Sequence, residues 1–596
     1  MSIPLDAPRD PLVPRPLDLY TRVPLDPEAD LEALDTAKIF AAPSDPADWP
    51  AWRAALTRWR GEAATRIGYD ASAYDALEYS WARGCHVVAL AWLWDELLFD
   101  HDAGSFTPER LCIEAEREFG GFDGIVLWHA YPVIGIDERN QFDFYREVPG
   151  ISQLVRDLQA RGLRVFVDYN PWDVGTRRPP VADELAIAQL VEELAVDGVF
   201  LDTMKEAQPG LRAALDCIRP GIALEGESTL PLARMCDHHL SWAQWFADSE
   251  VPGALRARWF EQRHMLHHTR RWNRSHLEEL HSAWLNGVGI LVWENVFGAW
   301  VGWSERDRGL LRAMRPFQRE HADLLATGAW TPLAGASPDT RVVASRWSDG
   351  ETEFWALANR GEAYAGPVGE LEAEVPAGGI AAFVGDEQVM AAGGGDETFP
   401  ERHAVRTPVP AVRVDSPPEG FAAVEPRPAT AVFRRRETGT YGEAPYVDEW
   451  KPLPPRLHDF VEVDRPAPRG RFAIGVREVS GPDGTPLTGL DLAEARAYAA
   501  AAGARLPTED EWQVAAEAGA LQRLEPLVWN WTESEHSDGR TRFAILKGGA
   551  AFAAEGSDWY VDGGPQEARY SLKLLLLGAG MSRSPHIGFR LAVDLP

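Results

Sequence analysis

Eight short apolar runs, separated by segments of helical periodicity, constrain this chain more than any other feature of its sequence. A buried strand of a parallel sheet reads as such a run, and its C-terminal tip leaves the hydrophobic core. Eight of these runs with helices between them predict a (β/α)8 barrel. The runs lie at 86–93, 123–130, 164–170, 197–202, 221–227, 238–246, 263–269 and 289–295, and the sixth and seventh carry the weakest apolar pattern.

At 596 residues the chain is too long for a single hydrophobic core, so we expect several domains. An N-terminal extension with one helix precedes the barrel. After the barrel the apolar period changes to alternation, which predicts a small antiparallel β-sandwich, and a Pro- and Gly-rich stretch then predicts a linker. The predicted divisions are 1–75 for the extension, 76–328 for the barrel, 329–386 for the β-sandwich, 387–455 for the linker and 456–596 for the last domain.

Charge and cysteine usage limit the partners and the compartment. A formal net charge of −32 argues against nucleic acid or an anionic membrane surface as a partner. No apolar run reaches the roughly 18 residues of a membrane helix, and the N-terminus does not read as a secretory leader. The four cysteines, Cys85, Cys112, Cys217 and Cys236, form no CxxC pair, which is typical of reduced thiols. We therefore expect a cytoplasmic protein that acts on a small neutral or cationic molecule.

Carboxylates close three neighbouring strands of the predicted barrel. In DGVFLDTMKE the apolar run ends on Asp202, and the strand before it carries Asp168 near its C-terminal end. The fifth strand adds Glu225 and Glu227, which share one face because side chains alternate along a strand. Since the C-terminal tips of barrel strands carry the chemistry of such folds, we expect these carboxylates to meet at the barrel mouth.

Hydrolysis of a glycosidic bond needs two carboxyl groups, and a separation of roughly 5–5.5 Å gives retention of configuration. Tips of adjacent strands lie near that distance, which favours Asp202 as nucleophile and Glu227 as acid/base, with Glu225 as the alternative acid. Asp168 would bind substrate hydroxyls or keep Glu227 protonated by like-charge repulsion. The structural alternative for Asp202 is a strand-end cap bonded to loop amides.

Other polar and aromatic residues follow the same strand ends and predict a mouth that grips a polyhydroxylated ligand. For each aromatic residue, packing in the core is the alternative role. Glu294 is also a candidate nucleophile, because other barrel enzymes place one late in the barrel. Besides Asp168 and Glu225, the predicted substrate-binding residues are His129, Trp172, Asp173, Arg177, Lys205, Trp293 and Glu294.

The order of these segments resembles retaining glycosidases with barrel folds, especially the α-amylase and α-galactosidase groupings. RVFVDYNPW, GVFLDTMK and LEGES stand where those enzymes carry a strand-three Asp and Asn, the strand-four nucleophile and a Gly-Glu acid. The resemblance implies glycosidase activity. Phe200 replaces the Arg that the amylase grouping keeps before its nucleophile. The α-galactosidase grouping places its acid after strand six, which would make Asp237 or Asp248 the acid.

The last domain carries a more specific pattern. RLPTEDEW at 505–512, Gly548-Gly549 and Gly588-Phe589-Arg590 resemble the formylglycine-generating (sulfatase-modifying factor) family, which implies an α+β fold akin to that of C-type lectins. Members of that family activate oxygen at copper through two late cysteines, whereas no cysteine follows Cys236 here. We therefore expect a catalytically silent scaffold that closes the barrel mouth, binds sugar or holds a homodimer.

No motif in the chain demands a cofactor or a metal. A GxSxG elbow, a Walker loop and a GxGxxG turn after a strand are all missing from the sequence, and its His-rich run has no carboxylate at metal spacing. The sequence thus predicts a glycoside hydrolase that acts on a small saccharide or glycoside without a cofactor. The alternatives are a carbohydrate-binding protein with an inactive barrel, and a metal-dependent oxidase centred on the last domain.

Overall fold

Eight parallel strands close into a barrel in the computed structural model, which confirms the fold predicted from the sequence. The structure describes residues 18–130, 133, 135–171, 177–244, 246–269, 275–296, 298–400, 402–434, 460–554 and 563–596. Consecutive strands pair with one another, and the eighth pairs with the first. The barrel strands, numbered β1 to β8, are Val87–Trp92, Gly124–Trp128, Arg164–Tyr169, Gly198–Leu201, Ala223–Gly226, Leu240–Ala243, Met265–His268 and Gly289–Val292.

Helices surround the barrel and bury one face each. In Pro108–Phe119, proline takes the first turn, the left-handed Gly120 ends the helix, and the buried residues recur every three or four positions. Within the described residues, no helix is both long and apolar enough to cross a bilayer. The helices up to the end of the barrel region are Trp49–Ile67, Ser72–Asp75, Pro108–Phe119, Gln141–Glu147, Ile151–Ala160, Asp183–Leu194, Leu211–Ile218, Arg256–Phe260, Leu277–Asn286, Glu305–Glu320 and Ala322–Thr327, with 3-10 turns at Glu32–Thr36, Pro46–Asp48, Leu77–Gly84 and Leu232–Arg234.

Aromatic side chains fill the upper interior of the barrel. The Phe200 ring stacks on Trp242 at 4.7 Å between centroids, and Trp293 lies 6.2 Å from Trp242 and 5.2 Å from Trp128. Lower in the barrel, glycine makes room for large side chains, since a Cβ at Gly289 would lie 2.7 Å from the His267 ring. The interior is therefore a packed core and not an open channel.

A small antiparallel β region follows the barrel, as the alternating pattern predicts. Its five-stranded sheet packs on the barrel helix Leu277–Asn286, where Trp284 meets Phe354 at 5.6 Å and donates its indole N–H to Ala381 O. The sheet strands in spatial order are Ala329–Ala336, Val342–Ser348, Glu353–Asn359, Ile380–Val384 and Glu387–Ala392, and a separate hairpin joins Tyr364–Val368 to Leu371–Val375.

The C-terminal region combines short sheets with two helices. Both helices, Leu492–Ala501 and Glu509–Glu517, begin with a capping box. Arg505 pairs with Glu511 at 2.7 Å, as expected of the internal framework of this region. Its strands are Phe421–Val424, Ala429–Arg434, Phe460–Arg465, Phe472–Gly475, Trp529–Ser537, Arg542–Lys547, Gly549–Ala550, Gly564–Pro565, Ser571–Leu575, Ile587–Phe589 and Ala592–Asp594.

Part of the stretch expected to be a linker forms strands. Glu387–Ala392 completes the five-stranded sheet, and Phe421–Val424 and Ala429–Arg434 pair with strands of the C-terminal region. Short apolar runs between the prolines can join a neighbouring sheet edge, which a composition-based reading overlooks. Residues 401 and 435–455 of this stretch lie outside the described residues.

Candidate active site

The register between β4 and β5 places Asp202 and Glu227 side by side at the barrel mouth. Leu201 of β4 and Gly226 of β5 are Cα partners, and the next residue of each chain segment is one of these carboxylates. Because adjacent strands lie about 4.8 Å apart, the two side chains leave neighbouring strand tips at the same height. The structure thus brings together the two residues predicted to be catalytic.

Buried amides hold Asp202. The Asn170 side chain, which follows β3, donates from Nδ2 to Asp202 Oδ2 at 3.1 Å. The side chain of Gln141 in turn clamps the Asn170 peptide, accepting from its N–H at 2.9 Å and donating to its carbonyl at 2.8 Å. Both amides are buried. Gln141 thus holds Asn170 in place, and Asn170 directs one hydrogen-bond donor at the Asp202 carboxylate.

The loop after β4 holds Glu227. The Thr203 backbone N–H donates to Glu227 Oε2, and the Gln244 side chain donates to the Glu227 carbonyl. Thr203 has a φ of 61°, a costly left-handed conformation for a β-branched residue, and such strain is found at functional sites. A Cβ on Gly226 would lie 2.6 Å from Lys205 O, so glycine is required where this loop crosses β5.

Glu225 lies on β5, two residues before Glu227 and deeper in the barrel, and its carboxylate pairs with a histidine of β7. Its Oε1 lies 2.5 Å from His267 Nδ1, and the other ring nitrogen of His267 lies 2.7 Å from Cys85 O. Burial alone would lower the pKa of His267, but the Glu225 carboxylate outweighs it and the pKa is raised. Glu225 therefore serves an ion pair inside the barrel and does not extend to the mouth.

Asp168 and His129 form the third polar group of the site. His129 Nε2 lies 3.7 Å from Asp168 Oδ2, and both residues are buried. The Asp168 N–H donates to the Tyr145 hydroxyl at 3.0 Å, which fixes this end of β3. Burial lowers the pKa of His129 to about 3, so its imidazole is neutral at physiological pH. The pair combines a carboxyl group with an uncharged imidazole ring.

Trp293 and Glu294 point to opposite faces of the chain after β8. Trp293 belongs to the aromatic core of the barrel, with its N–H bonded to Asn295 O at 2.8 Å. Glu294 lies on the helix side, where its Oε2 accepts from Arg540 of the C-terminal region at 3.2 Å. Burial raises the pKa of Glu294, and Arg540 opposes that rise. Neither side chain joins the carboxylates of β3 to β5.

The two carboxylates considered as alternative acids lie elsewhere. Asp237 precedes β6, at the end of that strand opposite the mouth, and pairs with Arg234 at 2.8 Å and His238 at 2.6 Å. Asp248 accepts from Gly253 N–H at 3.0 Å and from Arg360 of the small β region at 3.1 Å. Both carboxylates have structural partners.

The remaining predicted binding residues are more peripheral. Arg177 is more than half exposed and pairs with Asp143 at 2.7 Å. Lys205 is exposed on the loop that crosses β5. Trp172 and Asp173 lie outside the described residues.

Sequence reasoning does not identify Gln141. Its helix, Gln141–Glu147, begins at an Asn140 side chain that accepts from Asp143 N–H, and this cap is the local signal in the sequence. The function of the side chain arises from contact with a strand end far along the chain, which no local pattern encodes. Among the described residues, no group of three or more His, Cys, Asp or Glu side chains is arranged to hold a metal ion.

Comparison with protein families supports the assignment of the C-terminal region. Residues 455–525 match the sulfatase-modifying factor enzyme 1-like domain, in agreement with the resemblance read from 505–512. The chain thus joins an eight-stranded parallel barrel to a formylglycine-generating-enzyme-like region. No curated protein matches the sequence significantly.

Several solved structures are similar to this chain at low identity. A cyclic α-maltosyl-(1→6)-maltose hydrolase from Arthrobacter globiformis is 12% identical, with 51% of this chain and 99% of that chain covered and a TM-score of 0.32. A debranching enzyme from Nostoc punctiforme is 10% identical, with 51% and 98% covered and a TM-score of 0.35. A maltogenic α-amylase from Thermotoga neapolitana is 12% identical, with 50% and 88% covered and a TM-score of 0.33. Likeness at this level transfers no activity to this chain.

Proposed function

We propose that this protein is a retaining glycoside hydrolase in which Asp202 is the nucleophile and Glu227 the acid/base. The observation that carries the proposal is the pairing of these two carboxylates on the matched tips of β4 and β5, each of which accepts a hydrogen bond from the surrounding chain. Neighbouring strand tips supply the short separation that a covalent glycosyl intermediate requires.

In the first step, Asp202 Oδ1 attacks the anomeric carbon while the bond to the leaving oxygen breaks. Glu227 gives its proton to that oxygen. In the second step, Glu227 takes a proton from water, which attacks the anomeric carbon and releases Asp202. Asn170 Nδ2 holds Asp202 Oδ2 throughout, while Oδ1 forms the ester bond.

Asp168 and His129 bind the sugar that is attacked. The Asp168 carboxylate accepts hydrogen bonds from sugar hydroxyls, and the neutral imidazole of His129 contributes one donor and one acceptor without a competing charge. Asp168 lies on β3, which adjoins the nucleophile strand β4, and His129 follows β2 on the far side of β3, so both act on the sugar ring bound there. The C-terminal region has an accessory role.

The proposal is tested with a panel of α- and β-linked 4-nitrophenyl glycosides. We expect the protein to hydrolyse one sugar class, and proton NMR of the first product formed should show the same anomeric configuration as the substrate. Product of the opposite configuration would contradict the retaining mechanism. Binding of a free sugar without turnover of any glycoside would favour the carbohydrate-binding alternative.

Replacing Gln141 with leucine is expected to lower kcat by roughly 10²-fold on that glycoside while KM changes little. The substitution removes both hydrogen bonds to the Asn170 peptide and so releases the donor that aims at Asp202. Steady-state kinetics of the folded variant provide the measurement.

The matched control for this variant is Gln153→Leu. Gln153 bonds Asp157 on the surface of the next helix, so this variant should keep the kcat of the wild type. A Gln141→Leu protein that folds and turns over at the rate of the wild type would show that Asp202 does not depend on the clamp.

A further inference from the structure

The C-terminal region covers the loops that follow β8 and β1, which are neighbours in the closed barrel. Asn295, after β8, donates from Nδ2 to Thr541 Oγ1 at 2.7 Å. Glu96, after β1, donates its backbone N–H to Arg540 O at 3.0 Å. The turn between two C-terminal strands therefore lies on the rim of the barrel.

The same region also interlocks with the loop that follows β2. Ile136 of this loop is buried in the hydrophobic core of the C-terminal region, whereas Leu577 and Met581 of that region are buried with the barrel core. Arg139 NH1 donates to Met581 O at 3.0 Å. Because each part inserts apolar side chains into the other, the contact is a shared core that holds the cover in place.

The opposite side of the site is covered by N-terminal residues. Lys38 Nζ donates to Gln244 O at 3.0 Å and pairs with Asp18 at 3.0 Å, and Asp18 forms a β-bridge with Phe246. These contacts hold the segment on the loop that follows β6. Gln244 also donates to the Glu227 carbonyl, so this cover lies next to the carboxylate pair.

We propose that the substrate site is a pocket that admits the end of a saccharide chain, and that the C-terminal region is one of its walls. A groove for an internal chain segment must stay open on both sides of the catalytic carboxylates. Here those carboxylates lie at the tips of β4 and β5, between the cover on β8, β1 and β2 and the cover on β6. The inference rests on the proposed hydrolase function and adds its mode of action.

The geometry of the pocket also determines which end of the saccharide enters it. In a pocket with closed sides, the sugar that is attacked occupies the inner position. The rest of the chain is bonded to its anomeric carbon as the leaving group and must point outward. The inner sugar is therefore the non-reducing terminal residue, and the expected action is exo.

The test uses 4-nitrophenyl glycosides with one to five units of the sugar that the panel identifies. Each is prepared with the non-reducing end free or blocked as a 4,6-ethylidene acetal. We expect hydrolysis of the free-ended series only, with a single product size released in the first turnovers, as measured by chromatography. The blocked pentaoside should lose at least 100-fold in kcat/KM, and the mono-unit glycosides should serve as substrates themselves.

Two results would overturn the inference in distinguishable ways. Equal cleavage of blocked and free pentaosides, or an early ladder of product sizes, would show an open groove while leaving the hydrolase function intact. Failure to cleave any member of the series or of the panel would overturn the proposed function and the pocket together.

Discussion

Replacing Asp202 with asparagine is expected to lower kcat by about 10⁴-fold on the glycoside that the panel identifies. Asparagine has nearly the same shape, and its side-chain oxygen can still accept the hydrogen bond from Asn170 Nδ2. The amide has no charge, however, and is a poor nucleophile toward the anomeric carbon. The loss corresponds to about 5 kcal/mol of transition-state stabilisation. Steady-state kinetics of both proteins, with thermal unfolding to verify that the variant is folded, give the measurement.

The matched control is Asp237→Asn, which removes a carboxylate from the same barrel. Asp237 lies before β6 and pairs with Arg234 and His238, away from the mouth. This variant should keep the kcat of the wild type. The opposite pattern, with turnover lost in Asp237→Asn and kept in Asp202→Asn, would contradict the assignment of Asp202. It would favour the arrangement of the α-galactosidase grouping, in which Asp237 is a candidate acid.

The barrel could be predicted from the sequence because its strands are buried on both faces. β1, β2, β4 and β8 are nearly continuous apolar runs, and β3 and β5 each keep an apolar stretch before a carboxylate. β7 gives a weak signal for a physical reason, since His267 takes an interior position and pairs with Glu225. A buried ion pair between strands breaks the apolar pattern of each strand without disturbing the fold.

The candidate catalytic pair also follows from the sequence, since strand parity and the order of strands fix where Asp202 and Glu227 emerge. The placement of Glu294 does not follow in the same way. Glu294 directly follows Trp293, and this single step sends the two side chains to opposite faces of the strand. The parity of β8 could have indicated this, but its partner Arg540 lies some 250 residues away and no local pattern points to it.

The apolar run at 567–585 is a contact surface that can be predicted from the sequence, although the partner that covers it cannot. Its composition predicts an interface, with a homodimer among the expected roles. In the structure, Leu577 and Met581 are buried against the barrel core of the same chain. The run is an interface within the chain, and composition alone cannot distinguish such a contact from one between subunits.

The second large effect is expected from Arg540, a buried cation of the C-terminal region that pairs with two carboxylates of the barrel region. Arg540 donates from Nε to both oxygens of Asp95 at 2.8 and 3.0 Å, and from NH1 to Glu294 at 3.2 Å. Arg540 and Asp95 are almost wholly buried. Replacing Arg540 with methionine leaves the buried carboxylate of Asp95 and the mostly buried carboxylate of Glu294 without their cation, and we expect it to lower the free energy of unfolding by about 3–5 kcal/mol. Equilibrium urea unfolding followed by tryptophan fluorescence measures the loss.

Arg542→Met is the matched control for this variant, because Arg542 lies two residues further along and pairs with Glu96 and the exposed Asp102. A partly exposed pair of this kind should cost no more than about 1 kcal/mol. Equal losses in the two variants would contradict a buried clamp at Arg540.

The pH dependence of the Arg540→Met variant has a defined sign. Burial already raises the pKa of Glu294, and removal of Arg540 takes away the charge that opposes that rise. A group whose pKa is raised on folding stabilises the folded state below its ordinary pKa, and this contribution is lost as the pH rises through the folded-state value. The variant should therefore recover part of its deficit at pH 5 relative to pH 8. Adding Glu294→Gln should reduce that recovery, because the double variant has lost the carboxylate that takes up the proton.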